Sequence, residues 1–286
     1  MSQYGIPYMG SKTGIAVDLI NMLPRGKRFV DLFGGGFAMS HCALLSGKYE
    51  SIFYNELNPL VVDLIRKAIN GDYNYDKFKP EFVTREMFLE LKEKDGYIKY
   101  IWSFGNRGES YLFGKDIEKQ KQALHNAIVF EDYSEAIKIN ENFKNIKGNT
   151  IKDRRLSCVR IVKQDLKTRC DLQQLQQLER LQQLERLQIN CGSYLDYKHQ
   201  DGDAVYCDPP YENTEKYSKD GFNHKEFYEW VATREYPVYF SSYAISDERF
   251  FNVYEQSKRV TLSSGNNSNR KVEVLYCNKN DRLTLF

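Results

Sequence analysis

The chain has 286 residues, enough for one large domain or for a core domain carrying an insertion. A formal net charge of +2 excludes both an acidic solvating chain and a histone-like polycation, so any nucleic-acid surface must come from local clustering. The six cysteines (Cys42, Cys158, Cys170, Cys191, Cys207, Cys277) form no C-x-x-C pair, no signal peptide opens the chain, and no apolar run reaches membrane length. Free thiols in a reducing cytoplasm, and no membrane partner, are the expectation. His41, His125, His199 and His224 make no metal-ligand spacing, so no metal site is expected.

The first third alternates strand and helix. Ile15 to Leu23 has helical apolar spacing and stops at Pro24; "RFVDLF" reads as a short strand; "GGG" at 34 to 36 precedes a helix-like "FAMSHCALLSG". "SIFYNE" reads as a second strand and "PLVVDLIRKAING" as a helix with Pro59 near its start and Gly71 just past its end. This βαβα rhythm implies an α/β fold with a parallel sheet.

From Asp72 to about Leu187 the rhythm gives way to a polar, mostly helical pattern with loops at "SFGNRGES" and "NIKGNT". Between Lys144 and Arg169 lie nine Lys or Arg against two acids, Asp153 and Asp165. Such a run is usually a solvated helix face; inside an insertion it gains weight as a phosphate-binding face. Then comes "LQQLQQLERLQQLERLQ", with leucines at every third residue from Leu172 to Leu187. A three-residue step drifts about −60° around a helix, which gives no heptad seam, and the stretch is expected to form a spacer helix over 172–187. Strand patterns return at "LQINCGSY" and "DAVYC". A helix follows at "HKEFYEWVAT", a strand at "YPVYFSSY", and a terminal antiparallel hairpin from "KRVTLSS" and "KVEVLYCNK".

Three segments carry chemistry. Glycines between a strand and a helix let a ligand approach the backbone at the carboxyl edge of a sheet. Glu56, at the end of the second strand, stands where such folds place an acid for ribose hydroxyls. The turn lacks G-x-G-x-x-G and a phosphate-binding lysine, which disfavours a dinucleotide or ATP. The third segment is "VYCDPPYEN". Two prolines can neither donate to a sheet nor continue a helix, so Asp208 and Tyr211 flank a stiff turn. A carboxylate and a fixed carbonyl can together accept both N–H groups of an exocyclic aromatic amine and draw its nitrogen toward sp³ geometry, while the tyrosine stacks on a base taken out of the duplex. That assigns Asp208, Pro209, Pro210 and Tyr211 as catalytic candidates.

With these motifs in place, the chain resembles the Dam-like adenine-N6 DNA methyltransferases. The resemblance rests on "IPYMGSK", "DLFGGG", "NELNPL", "CGSYLDY", "DPPY" and "SSGNNSNRKVEVLYCN", in that order, with an insertion ahead of D-P-P-Y. It implies S-adenosylmethionine as cofactor, held by Tyr8, Lys12, Asp31, Phe33, Gly34, Gly35, Gly36, Glu56, Ser193, Tyr194 and Asp208. It also implies Arg270 and Glu273 close to the active site. "FGNRGESYLFG" is a looser counterpart of the family's DNA-contact loop and offers Asn106 and Arg107; the basic run offers Lys152, Arg154 and Arg155, and Arg270 completes the DNA-binding candidates.

The expected protein is therefore a monomeric methyltransferase acting on double-stranded DNA. Residues 1–70 and 188–286 would form a Rossmann-like catalytic domain with a terminal antiparallel hairpin. Residues 71–187 would form an inserted, mainly helical DNA-recognition domain. Cytosine N4 and an RNA adenine also present an exocyclic amine to such a turn, and a chain that binds DNA without turnover would keep the same fold. These remain alternatives at this point.

Overall fold

A computed structural model describes residues 4–162, 172–212, 221–243, 245, 247–259 and 270–280. By internal packing the chain divides into two compact units, one from residues 1–5, 11–62 and 183–286, the other from residues 6–10 and 63–182.

The first unit is built on a seven-stranded sheet: β1 (Arg28–Asp31), β2 (Ser51–Glu56), β3 (Leu187–Cys191), β4 (Asp203–Cys207), β5 (Val238–Ser242), β6 (Phe251–Arg259) and β7 (Arg270–Cys277), in the order β3-β2-β1-β4-β5-β7-β6. The pairs from β3 to β5 are parallel, and β7 runs antiparallel to both β5 and β6, so the terminal hairpin closes the sheet as expected. Its first strand begins earlier than "KRVTLSS" indicates. β6 starts at Phe251, where a register shift between Asn252 and Tyr254 masks the alternation a strand normally shows, and residues 260–264 lie outside the described residues.

The central strands are buried on both faces, which is why they read as apolar runs rather than alternating ones. Val30, Val205 and Phe240 meet Phe227, Trp230 and Val231 of the helix His224–Ala232 on one side, while Phe29, Tyr54 and Tyr206 are fully buried as well. Two further helices, α1 (Ala16–Met22) and α2 (Ala38–Ser46), pack on each other, and α2 lies on β1 and β2. The β1–β4 register is pinned at its first pair, where Arg28 donates to both carboxylate oxygens of Asp203, at 2.8 and 2.7 Å. The helix α3 (Pro59–Ile69) starts at Pro59, whose fixed φ suits a first turn and whose missing N–H costs nothing there.

The second unit contains α4 (Arg85–Leu91), a π-turn at Tyr97–Ile101, α5 (Glu118–Val129), α6 (Ser134–Ile139), α7 (Ile151–Val162) and α8 (Gln173–Glu179). Leu124, Ile128, Phe143, Ile151 and Cys158 form one of its buried clusters. The helix His224–Ala232 of the first unit is α9.

The expected spacer helix over 172–187 is corrected. α8 ends at Glu179, Leu184–Arg186 is a 3₁₀ turn, and Leu187 already belongs to β3. Leu172, Leu175, Leu178 and Leu181 are buried, at 2%, 1%, 0% and 7% exposure. A helix of two turns accumulates little angular drift: Leu175 and Leu178 stand only about 60° apart, and Leu172 and Leu181 at its two ends are buried as well. Side chains fix its position, with Gln176 donating to the Tyr73 carbonyl at 3.0 Å and Asn74 donating to the Glu179 carboxylate at 3.1 and 3.0 Å.

Candidate active site

The parallel strands end along one edge, and the sheet order reverses between β1 and β4, where open α/β sheets bind ligands. β1 ends in Asp31. The Leu32 N–H donates to the Tyr206 carbonyl at 3.0 Å and carries the chain one step further along β4. The glycine turn follows, anchored on β2: the Gly34 N–H donates to the Asn55 carbonyl at 2.8 Å, and the Gly35 N–H donates to Glu56 Oε2 at 2.9 Å. The Tyr54 hydroxyl donates to the Gly35 carbonyl at 2.7 Å.

A Cβ at Gly34 would lie 2.1 Å from the Tyr54 ring, so packing within the fold itself requires glycine there. Gly35 has φ 45°. The Gly36 carbonyl lies against Gly5, whose own Cβ would meet it at 2.1 Å. The Gly5 N–H donates to His41 Nδ1 at 2.9 Å, so the N-terminal segment is laid across the turn.

Three carboxylates converge on this edge. Burial, with the charges of Asp208 and Glu56 adding to it, pushes Asp31 up to about 7, although the Ser40 hydroxyl donates to its Oδ2 at 2.7 Å. Burial also raises Glu56, against N–H donors from Asn58 at 2.8 Å and Gly35 at 2.9 Å. Each Glu56 oxygen still has acceptor capacity for a hydroxyl. Asp208 follows β4 directly and is likewise raised by burial, while the Lys12 ammonium, 2.6 Å from its Oδ2, pulls it down. Asp31 Oδ1 and Asp208 Oδ1 are both buried without a hydrogen-bond partner among the described residues. Two such acceptors at one sheet edge suit a ligand that brings cationic or N–H donors.

Lys12 is itself buried. Burial works against its charge, but Asp208 and Glu273, the latter at 3.3 Å, outweigh it and hold the ammonium above its ordinary range. The Tyr211 hydroxyl donates to Glu273 Oε1 at 2.8 Å, and the ammonium sits 4.8 Å from the centre of the Tyr211 ring. The Tyr243 ring meets Tyr211 edge-on at 4.6 Å. Lys12 and Glu273 lie far in sequence from the Asp208–Tyr211 turn and from each other; the fold brings them into one network of ion pairs and hydrogen bonds.

Beside the glycine turn, Phe33 packs on Tyr194 at 5.0 Å, and Tyr194 also meets Phe227 and Trp230. Ser193 caps the short turn after β3, its hydroxyl accepting the Leu195 N–H at 3.2 Å. Asn55 ties this segment to the glycine turn by donating to the carbonyls of Leu32 and Gly192 at 3.1 and 3.0 Å. Tyr8 belongs to the second unit, where its ring lies 5.2 Å from Tyr100.

The DNA-binding candidates divide. In the second unit Arg107 and Lys152 are exposed, Arg155 is half-buried, and Asn106 donates to the Tyr100 carbonyl at 2.8 Å from a left-handed backbone. Arg154 is corrected: it is 4% exposed, and its guanidinium donates to the carbonyls of Ile128 at 2.6 Å and Gly148 at 3.2 Å and pairs with Glu131 at 3.1 Å. It ties α7 to the end of α5 and has no face left for a phosphate. Helical phase separates it from its neighbours: Lys152 and Arg155, three residues apart, share one flank of α7 turned roughly 100–160° away from Arg154. Arg270 opens β7 opposite Arg259, and residues 264–269 of its motif lie outside the described residues. Sequence reasoning passed over Ser40, Tyr243 and His224, none of which stands in a recognisable spacing.

A parallel sheet with a switch point, a glycine turn after its first strand, an acid ending the second and a rigid carboxylate–proline turn after the fourth define an α/β protein with a ligand site at one sheet edge. Residues 8–235 match the D12 class N6 adenine-specific DNA methyltransferase family, and the chain belongs to that family. It is an enzyme that methylates adenine N6 in DNA, which sets aside cytosine N4, RNA and the silent binder as readings of this site. Methyltransferases generally draw the methyl group from S-adenosylmethionine. No helix among the described residues is long and apolar enough to cross a membrane.

Proposed function

We propose that methyl transfer takes place at the carboxyl edge of the first unit, with Asp208 and the Pro209 carbonyl accepting the two N–H groups of an adenine amine flipped out of the duplex. Tyr211 stacks on the flipped base. The amine's lone pair is delocalised into the ring; two acceptors on its hydrogens draw the nitrogen toward sp³ and return the pair to the attacking position. Asp208 need not remove a proton first, because an aromatic amine is far too weak an acid for a carboxylate; once the nitrogen–carbon bond has formed the nitrogen is cationic and acidic, and its extra proton passes to the Asp208 carboxylate and on to solvent. Lys12 keeps Asp208 ionised and aimed.

When bound, S-adenosylmethionine would supply the methyl as an electrophilic carbon on a sulfonium, the carbon–sulfur bond breaking and a neutral thioether leaving. Asp31 would offer a buried oxygen to its cationic end, Gly34 to Gly36 and Phe33 a backbone-lined bed, Glu56 acceptors for ribose hydroxyls, and Ser193 and Tyr194 the adenine side. Residues of the second unit, with Asn106, Arg107, Lys152 and Arg155 among them, contact the DNA. The enzyme works as a monomer in the cytoplasm.

The observation that most supports this reading is the pair of acceptors left open beside each other. Asp208 Oδ1 is buried without a donor, and among the described residues no group donates to the Pro209 carbonyl. Asp208→Ala tests it. Labelled-methyl incorporation into DNA should vanish while S-adenosylmethionine binding, measured by calorimetry, stays within a few-fold. Near-wild-type turnover in the variant would sink the assignment.

A further inference from the structure

We infer that His224 is a positioning residue for methyl transfer: its Nε2–H holds the carbonyl of Pro210 and thereby aims the carbonyl of Pro209. This rests on the reading of the D-P-P-Y turn as the amine-binding element. Nε2 lies 2.8 Å from the Pro210 oxygen. A carbonyl can only accept, so Nε2 carries the hydrogen.

The geometry of two prolines explains why one such bond matters. Neither Pro209 nor Pro210 has an N–H, so neither can fix the turn by donating to a neighbouring strand. The carbonyl proposed to take the amine sits in the planar Pro209–Pro210 peptide, and the carbonyl held by His224 sits in the next peptide. Between those two planes only two torsions intervene. The ring of Pro210 locks its φ, which leaves ψ of Pro210 as the one soft angle. A hydrogen bond to the Pro210 carbonyl sets that ψ, and with it the direction of the Pro209 carbonyl.

The turn is thus held at three successive points: Asp208 by Lys12, Pro210 by His224, and Tyr211 by Glu273. Of the two proline carbonyls, that of Pro210 is taken by His224, while among the described residues no donor meets that of Pro209.

His224 is a firm support. It opens α9, which Asn223 caps by accepting the Glu226 N–H at 3.1 Å, and whose Phe227 and Val231 are fully buried in the core. Its ring meets Phe222 edge-on at 5.0 Å, and Phe222 in turn packs at 5.8 Å on Phe33 of the glycine turn. The carbonyl that receives the amine and the turn proposed to hold the cofactor are therefore referred to one aromatic block.

The test compares His224→Phe, which keeps a ring and removes the donor, with His224→Gln, which restores an N–H at similar reach. Single-turnover methyl incorporation at saturating DNA and S-adenosylmethionine should fall roughly 10- to 100-fold in the phenylalanine variant, the scale of a misplaced reacting group. KM for both substrates should hold within about twofold, and the glutamine variant should recover about tenfold of the loss. A rate within about twofold of wild type in His224→Phe, or a glutamine variant as slow as the phenylalanine one, would overturn the inference. If His224→Phe does not fold, His224→Met against His224→Gln reads the same difference. Asp208→Ala run in parallel separates the two ideas. A live Asp208→Ala means the site is misread, whereas a dead Asp208→Ala with an unimpaired His224→Phe removes only the role of His224.

Discussion

Lys12→Met removes the cation from a buried cluster and leaves Asp208 and Glu273 facing each other across Tyr211. Deleting one partner of a buried ion pair costs about 3–5 kcal/mol, because the survivor keeps its desolvation penalty. At about 2–4 °C per kcal/mol for a chain of this size, Tm should drop by roughly 6–20 °C. The pH dependence gives the sign. Asp208 is already raised by burial, and Lys12 is what opposes that rise. Without Lys12 the folded state takes up a proton that the unfolded state does not, so stability is lost as pH rises from the ordinary carboxylate range through the raised folded value. The deficit against wild type should therefore grow as pH rises above the ordinary carboxylate range. Lys12→Met combined with Glu273→Gln should regain much of the stability. Thermal melts across that range, with methyl incorporation measured alongside, check all of this. An unchanged Tm, or a double variant no better than the single one, would refute the electrostatic account.

Asp31, raised to about 7, makes the fold lose stability as pH climbs from about 4 to 7, and Asp31→Asn should flatten that slope in urea midpoints; parallel slopes would remove Asp31 as the cause. Leu178→Ala should cost about 2–5 kcal/mol as a buried truncation, read from urea unfolding, and deleting one "LQQ" unit should destabilise at least as much. Charge reversal at Lys152 and Arg155 should weaken DNA binding and lower its salt slope by about 0.9 for each phosphate that is no longer neutralised. Arg154→Ala should instead lower Tm, because its donors serve carbonyls of α5 and the Gly148 turn.

Local pattern was enough to read β1, the glycine turn, α2, β2 with Glu56, and the strand that ends at Asp208, because each element sits at one strand end and declares itself by composition. What stayed hidden depends on contacts between distant segments. Nothing near Lys12 announces that its ammonium meets Asp208 and Glu273. The glycine at 34 looks like room for a ligand, whereas the Tyr54 ring already fills the place of a side chain. Arg154 sits in a basic run identical in type to its neighbours, and only the path of α7 over α5 turns it inward. The leucine period argued for a long helix with no seam. The chain leaves that helix after Glu179, and a pattern that cannot build a long interface builds a short one.

The same repeat creates an ambiguity the folding chain must resolve. Slid forward by three residues, the segment would still present a leucine at each of the four buried places held by Leu172, Leu175, Leu178 and Leu181, so apolar burial is degenerate between the two threadings. The polar anchors break the tie. In the slipped threading the place of Glu179, which receives Asn74, passes to Gln182, whose amide carries no charge. A slip of six residues, however, brings Glu185 to that place and a leucine to every buried one, so this anchor does not detect it. The start of β3, paired residue for residue with β2 from Leu187 onward, and Arg186 just before it, whose guanidinium donates to the Glu50 carbonyl at 2.7 Å, reject that second threading. An exposed edge strand thus proofreads the alignment of a helix that precedes it.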